Sequence, residues 1–154
     1  MKKLFLLGAM ALSWGVHAQG DELGFIPKPM QVQRVEGKAL KLSGALTVSV
    51  DVKHQAAVKA GLERLGMPVR FEKGGDIKVL DDTSLPHREA YRLEVKPEGI
   101  VIKAKSSAGV YYALQTLLQA MPVEVFDASL EREAVEVPLI EVQDAPRFGW
   151  PVSC

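Results

Sequence analysis

The stretch SSAGVYYALQTLLQAM, residues 106–121, constrains this chain more than any other. Val110, Leu114, Leu117 and Met121 recur at helical spacing, and Tyr111, Ala113 and Leu118 spread the apolar surface around the flanks. After the two opening serines, Gln115, Thr116 and Gln119 are its polar residues, and none of the sixteen is charged. A helix on the surface of a globular domain keeps a wide polar face, whereas one apolar nearly all round is covered on more than one side. A small sheet can cover one side of this segment, and a second neighbour is expected on the other. A Ser near its start suits an N-cap, and Pro122 stops it.

Strands precede it. In EAYRLEVKPEGIVIKAK, Tyr91, Leu93 and Val95 alternate with Arg92, Glu94 and Lys96, and Ile100, Ile102 and Ala104 alternate back after a PEG turn. That period of two around a turn predicts a β-hairpin. Further upstream, residues 45–52 alternate Leu46, Val48 and Val50 with polar residues, which predicts a half-buried strand. HQAAVKAGLERLG places Ala57, Val58, Leu62 and Leu65 at helical spacing, and Gly66 with Pro68 closes that helix. VRFE and DIKVLD read as short strands around Gly74–Gly75. IPKPMQVQRVEG is extended, and EAVEVPLIEVQD is a last extended stretch whose Pro138 suits an edge or terminal strand.

Composition excludes several classes. Hydrophobic residues make up 47% and charged residues 25%, so a packed core is expected rather than disorder. The 19 Lys and Arg balance the 19 Asp and Glu, and no basic stripe invites nucleic acid. Residues 1–18 read as a signal peptide: Lys2 and Lys3, an apolar run over residues 4–16 too short to span a bilayer, and a cleavage site at VHA before Gln19. The expectation is an exported protein, periplasmic or secreted, that is not membrane-spanning. One unpaired Cys provides no disulfide framework.

Four stretches in order, IPKP, EAYRLEV, GVYYALQTLLQ and VPLIEVQDAPRFGW, resemble the N-terminal domain of glycoside hydrolase family 20, the exo-β-N-acetylhexosaminidases. The resemblance implies an α+β fold, a largely antiparallel β-sheet with two helices packed on one face (a zincin-like arrangement). It implies a domain over residues 19–146 and a junction over residues 147–154 leading toward a (β/α)8 barrel. In that family the partner is the chain's own C-terminal barrel, packed on the second helix, and amino-sugar glycans bind through the barrel. The chemistry implied is substrate-assisted hydrolysis, in which the substrate's acetamido oxygen attacks the anomeric carbon and a barrel Glu protonates the leaving oxygen. A barrel needs roughly 200 residues or more, so this chain is expected to be inactive alone.

Local features that could imitate a catalytic site read otherwise. Asp21–Glu22 follows the cleavage site, where termini are mobile. Asp81–Asp82 reads as the end of a strand. His17 lies in the signal, and His54 and His87 read as single surface histidines without the company a metal needs. Cys154 has no base beside it in sequence. No catalytic, substrate-binding or metal-ligating residue is therefore assigned, and no cofactor is expected.

The tail DAPRFGWPVSC matches the family's junction up to Trp150. The resemblance places an Arg-Gly pair next, the Arg reaching hydroxyls of the terminal sugar, where this chain has Pro151 and Val152. Deleting one G from codons for Trp-Arg-Gly-Val-Met turns the reading into Trp-Pro-Val-Ser-Cys, so a frameshift is one expectation. A chain ended by a sequence boundary and a true short protein are the others. Functionally, the primary expectation is the non-catalytic leading domain of a β-N-acetylhexosaminidase. The alternative is a stand-alone carbohydrate- or protein-binding module.

Overall fold

The computed structural model describes residues 29–127 and 132–145. The expected signal peptide, Asp21–Glu22, most of the IPKP stretch and the junction 147–154 lie outside them.

The strands are β1 (Gln31–Arg34), β2 (Leu40–Ser43), β3 (Leu46–Ser49), β4 (Val69–Phe71), β5 (Ile77–Asp81), β6 (Tyr91–Lys96), β7 (Gly99–Ala104), β8 (Ala134–Val137) and β9 (Ile140–Asp144). The helices are α1 (Gln55–Leu62), flanked by 3-10 turns at Val52–His54 and Glu63–Leu65, and α2 (Ser107–Ala120). Seven strands form one sheet in the order β1-β9-β6-β7-β5-β3-β4, and β2 pairs with β8 in a second, two-stranded sheet. The α+β class with two helices holds.

The pairing is more mixed than the largely antiparallel expectation. β1–β9, β9–β6 and β6–β7 run antiparallel, whereas β7–β5, β5–β3 and β3–β4 run parallel. Two local causes account for the parallel half. α1 carries the chain from β3 to β4, the helical crossover that parallel neighbours require. The Gly74–Gly75 turn then steps across β3 rather than folding β5 back on β4. A Cβ at Gly75 would lie 2.6 Å from the Thr47 carbonyl, so only a glycine passes there. The Asp76 amide donates to Thr47 Oγ1 at 2.8 Å and fixes the crossing.

The last extended stretch splits at Pro138. β8 pairs with β2, and β9 lies between β1 and β6 as an interior strand. Pro138 falls between the two ladders, which is how a residue without an N–H coexists with an interior strand next to it.

The helices cover one face of the large sheet. Alternation along β6 buries Tyr91, Leu93 and Val95, and β7 buries Ile100, Ile102 and Ala104. α2 lies on β6 and β7, and α1 packs along α2 and reaches β4. Ser106 is the N-cap of α2, its hydroxyl accepting from the Gly109 amide at 3.3 Å. The buried side of α2 carries Val110, Ala113, Leu114, Leu117 and Leu118. At roughly 1.5–3 kcal/mol for each fully buried large side chain, this packing and not helix propensity keeps α2 folded. One polar link runs through the interior: the Tyr91 hydroxyl meets Thr116 Oγ1, and burial pushes the Tyr91 phenol well above its usual range.

The helices approach closely at Gly61, where a Cβ would stand 2.6 Å from Leu114 Cδ1 and 2.9 Å from its Cβ. Gly61→Val should therefore destabilise the domain by about 2–3 kcal/mol through overpacking, outweighing the few tenths gained in helix propensity. Ala60→Val, at an exposed neighbouring position, should change stability by about 0.5 kcal/mol or less. Urea midpoints of the two variants against wild type provide the check.

Candidate functional site

α2 is covered mostly from within. The sheet takes one side and α1 takes another, so the second neighbour expected from the sequence is largely the first helix. What faces outward is a narrow strip without charge: Tyr111 and Tyr112, exposed at 38% and 41%, with Gln119 and half-buried Ala108 and Gln115. The two tyrosines meet edge to face, ring centroids 6.2 Å apart.

A polar cluster lies at the start of both helices. His54 is only 3% exposed, which corrects its reading as a surface histidine. Its Nε2–H donates to Asp81 Oδ1 at 2.8 Å, since a carboxylate can only accept. Its Nδ1 lies 2.7 Å from Ser107 Oγ, and the same hydroxyl lies 3.3 Å from the Lys53 carbonyl. Lys53 Nζ pairs with the other Asp81 oxygen. The Lys53 ammonium first, and the His54 ring second, hold the Asp81 carboxyl below its usual 3.8.

A Ser, a His and an Asp thus stand in line, the residue types of nucleophilic hydrolysis. Both contacts of the serine hydroxyl are to this chain's own groups, and Asp81 is shared with Lys53. The arrangement joins the turn before α1, the end of β5 and the first residue of α2. His54 reaches its buried position because the 3-10 turn at Val52–His54 is capped by Asp51, whose side chain accepts from the Lys53 amide at 3.0 Å.

The remaining candidates separate. Asp81 ends β5 as expected, and Asp82 turns to the Ser84 amide and hydroxyl. His87 is exposed. Asp21, Glu22, His17 and Cys154 lie outside the described residues. Among the described residues, no three His, Cys, Asp or Glu side chains gather as a metal site would need. Sequence reasoning missed the roles of Lys53 and Ser107. Asp81 and Ser107 lie 27 and 53 residues from His54, and Lys53 lies 28 from Asp81, so no local spacing in the sequence links these partners.

On the face opposite the helices, a shallow cavity of about 540 Å³ lies over β1, β9 and β6. Gln31 pairs in register with Gln143, and Gln143 with Arg92, while Gln33, Glu141 and Glu94 form the next row. Glu94 and Glu141 stand as like charges side by side, and Lys96 Nζ, 3.1 Å from Glu94, offsets one of them.

Two variants test the buried cluster. His54→Ala removes a buried ring and strands two polar partners, and should lower stability by about 2–4 kcal/mol in urea denaturation at neutral pH. Asp81→Asn should lower it by about 1 kcal/mol or less, because the carboxylate is partly exposed. The folded pKa of Asp81 lies below the unfolded one, so its contribution is complete above 3.8 and disappears as the pH falls through the folded value. Melting temperatures of wild type and Asp81→Asn should therefore converge in acid.

Comparison with known proteins sets this geometry in a family. Residues 22–145 match the family model "Glycosyl hydrolase family 20, domain 2". A beta-hexosaminidase of Porphyromonas gingivalis is 30% identical over 139 residues, and an N,N'-diacetylchitobiase of Vibrio harveyi is 32% identical over 130. The alignments cover 83% and 81% of this chain but only 18% and 14% of those relatives. Among solved structures, a Bacteroides fragilis beta-N-acetylhexosaminidase superposes with a TM-score of 0.65 at 29% identity, covering 80% of this chain and 25% of that one. A Vibrio harveyi exo beta-N-acetylglucosaminidase, solved in complex with N-acetylglucosamine, gives 0.69 at 26% identity, covering 86% and 20%. The chain belongs to glycoside hydrolase family 20 through its domain 2.

Proposed function

We propose that this chain is the non-catalytic leading domain of a β-N-acetylhexosaminidase. In the full-length enzyme it supports a barrel that removes terminal N-acetylhexosamine from chito-oligosaccharides or glycans by substrate-assisted hydrolysis. The observation that carries this reading is the match itself: one domain model accounts for residues 22–145, while the curated relatives are several times longer than the matched segment.

The uncharged strip of α2 is the face that would meet the barrel. Tyr111 and Tyr112 provide large, rigid contact area with hydroxyls at the rim, and no charge there has to be stripped of water. Gln115 and Gln119 supply neutral hydrogen-bonding groups on the same strip. Asp144, near the end of the described residues, pairs with Tyr91, and a Cβ on Gly109 of this helix would lie 2.7 Å from the neighbouring Ala90 carbonyl. A signal peptide over residues 1–18 and export to the periplasm or beyond belong to the same proposal.

A second reading, a stand-alone carbohydrate- or protein-binding module, is favoured by the cavity on the open sheet face. Its glutamine amides and Arg92 are groups that hydrogen-bond sugar hydroxyls.

Incubating the purified chain with 4-nitrophenyl N-acetyl-β-D-glucosaminide separates these possibilities from catalysis. No release of nitrophenol above buffer is expected, and turnover lost in Ser107→Ala would overturn the non-catalytic assignment. Titration calorimetry with chito-oligosaccharides should give no saturable heat; saturable heat lost in Arg92→Ala would promote the binding-module reading.

A further inference from the structure

Ile140, Val142 and, at the strand's end, Asp144 share the face of β9 that lies toward the helices. The first two are core side chains, and the third puts a half-buried carboxylate where the alternation calls for a hydrocarbon. A carboxylate in such a place is unfavourable unless donors meet it. Two do. Tyr91, directly opposite Asp144 in the β6–β9 ladder, is hydrogen-bonded to it through the phenol, and the Met30 amide donates to Asp144 Oδ1 at 3.2 Å.

The groups themselves fix the direction of these bonds. A carboxylate only accepts, so the Tyr91 hydroxyl donates its one proton to Asp144. The contact between Tyr91 Oη and Thr116 Oγ1 then runs the other way, from the threonine hydroxyl to the phenol oxygen. Burial foremost, and the Asp144 carboxylate after it, keep the Tyr91 phenol protonated well above its usual range, so this donor is present at any ordinary pH. The result is one string of one polarity, from Thr116 of α2 to Tyr91 of β6 to Asp144 of β9, met from the other side by Met30 just before β1. Thr116 and Tyr91 are both buried, so water does not compete along the inner part, and in that setting each bond polarises and aligns the next.

We propose that Asp144 is a positioning residue that ties the start of β1 and the end of β9 to α2, through Tyr91 and Thr116, and so fixes the direction in which the chain runs on from residue 144. This inference goes beyond the proposed function and does not rest on it, because every member of the string is a described residue of this chain.

The test follows solvent exchange of two amides by NMR of the ¹⁵N-labelled full chain. Met30 reports the outer end of the string, and Ile102, in the interior strand β7, reports overall stability. In wild type the Tyr91 hydroxyl proton should appear in water as a separate, slowly exchanging signal; its absence would overturn the string. Asp144→Asn keeps the shape but cannot accept from both donors, and should speed Met30 exchange about tenfold beyond any change at Ile102. Tyr91→Phe removes only the donor on the other side of the carboxylate, and should still speed Met30 exchange about threefold beyond Ile102. Thr116→Ser keeps the hydroxyl and should leave the ratio of the two rates at its wild-type value. A Met30 rate that rises only in step with Ile102 in Asp144→Asn and Tyr91→Phe would mean general stabilisation and overturn the inference, as would a Met30 rate unchanged in Tyr91→Phe. A ratio shifted as far in Thr116→Ser as in Tyr91→Phe would also overturn it, by assigning the effect to packing. Should Asp144→Asn not fold, Tyr91→Phe and the wild-type hydroxyl signal decide the question without it.

Discussion

The packing of α2 between the β6–β7 hairpin and α1 is the contact on which the rest of this domain depends. It brings Leu114 and Leu117 to zero exposure and brings β6 and β7 their cover. It also places Gly61 of α1 against Leu114 so closely that no side chain fits between the helices. An uncharged fourteen-residue helix has little reason to fold by itself in water. Its order comes from the apolar surface that sheet and neighbouring helix remove from solvent. The same contact sets the two helix starts side by side, which makes the His54 cluster possible.

That cluster shows how burial and polarity are reconciled at an element junction. His54 keeps both ring nitrogens bonded, one to Asp81 and one to Ser107, at a place where three elements begin or end. A buried imidazole with one nitrogen unpaired would be a liability of about 1–3 kcal/mol; paired at both, it becomes a joint. Arg132 is the contrasting case, a charged group whose buried Nε and Nη2 have no hydrogen-bond partner among the described residues. The outward strip of α2 is a third kind of surface, neither charged nor strongly apolar.

Residues 22–145 match one domain of the family, and the chain spans 18% and 14% of two curated relatives. Its two notable surfaces are a tyrosine pair on the helix side and an amide-rich floor on the open sheet side. They belong to opposite faces because β6 alternates Tyr91, Leu93 and Val95 against Arg92 and Glu94.

Periodicity by itself determined the hairpin from Tyr91 to Ala104, the helix after Ser106 with its cap, the strand of Leu46 and Val48, and the helix closed by Gly66. It also made plain that the second helix needed cover on two sides. These features are legible because each depends on residues within a few positions of one another. Tertiary structure alone decided the pairing directions, the split of the last stretch at Pro138 and the path of Gly75 over β3. It alone decided that β2 and β8 form their own ladder, and that His54 is buried between Asp81 and Ser107. The physical reason is common to all of these: they are contacts between segments tens of residues apart, chosen by which faces must be buried together, and no local pattern encodes which distant partner arrives.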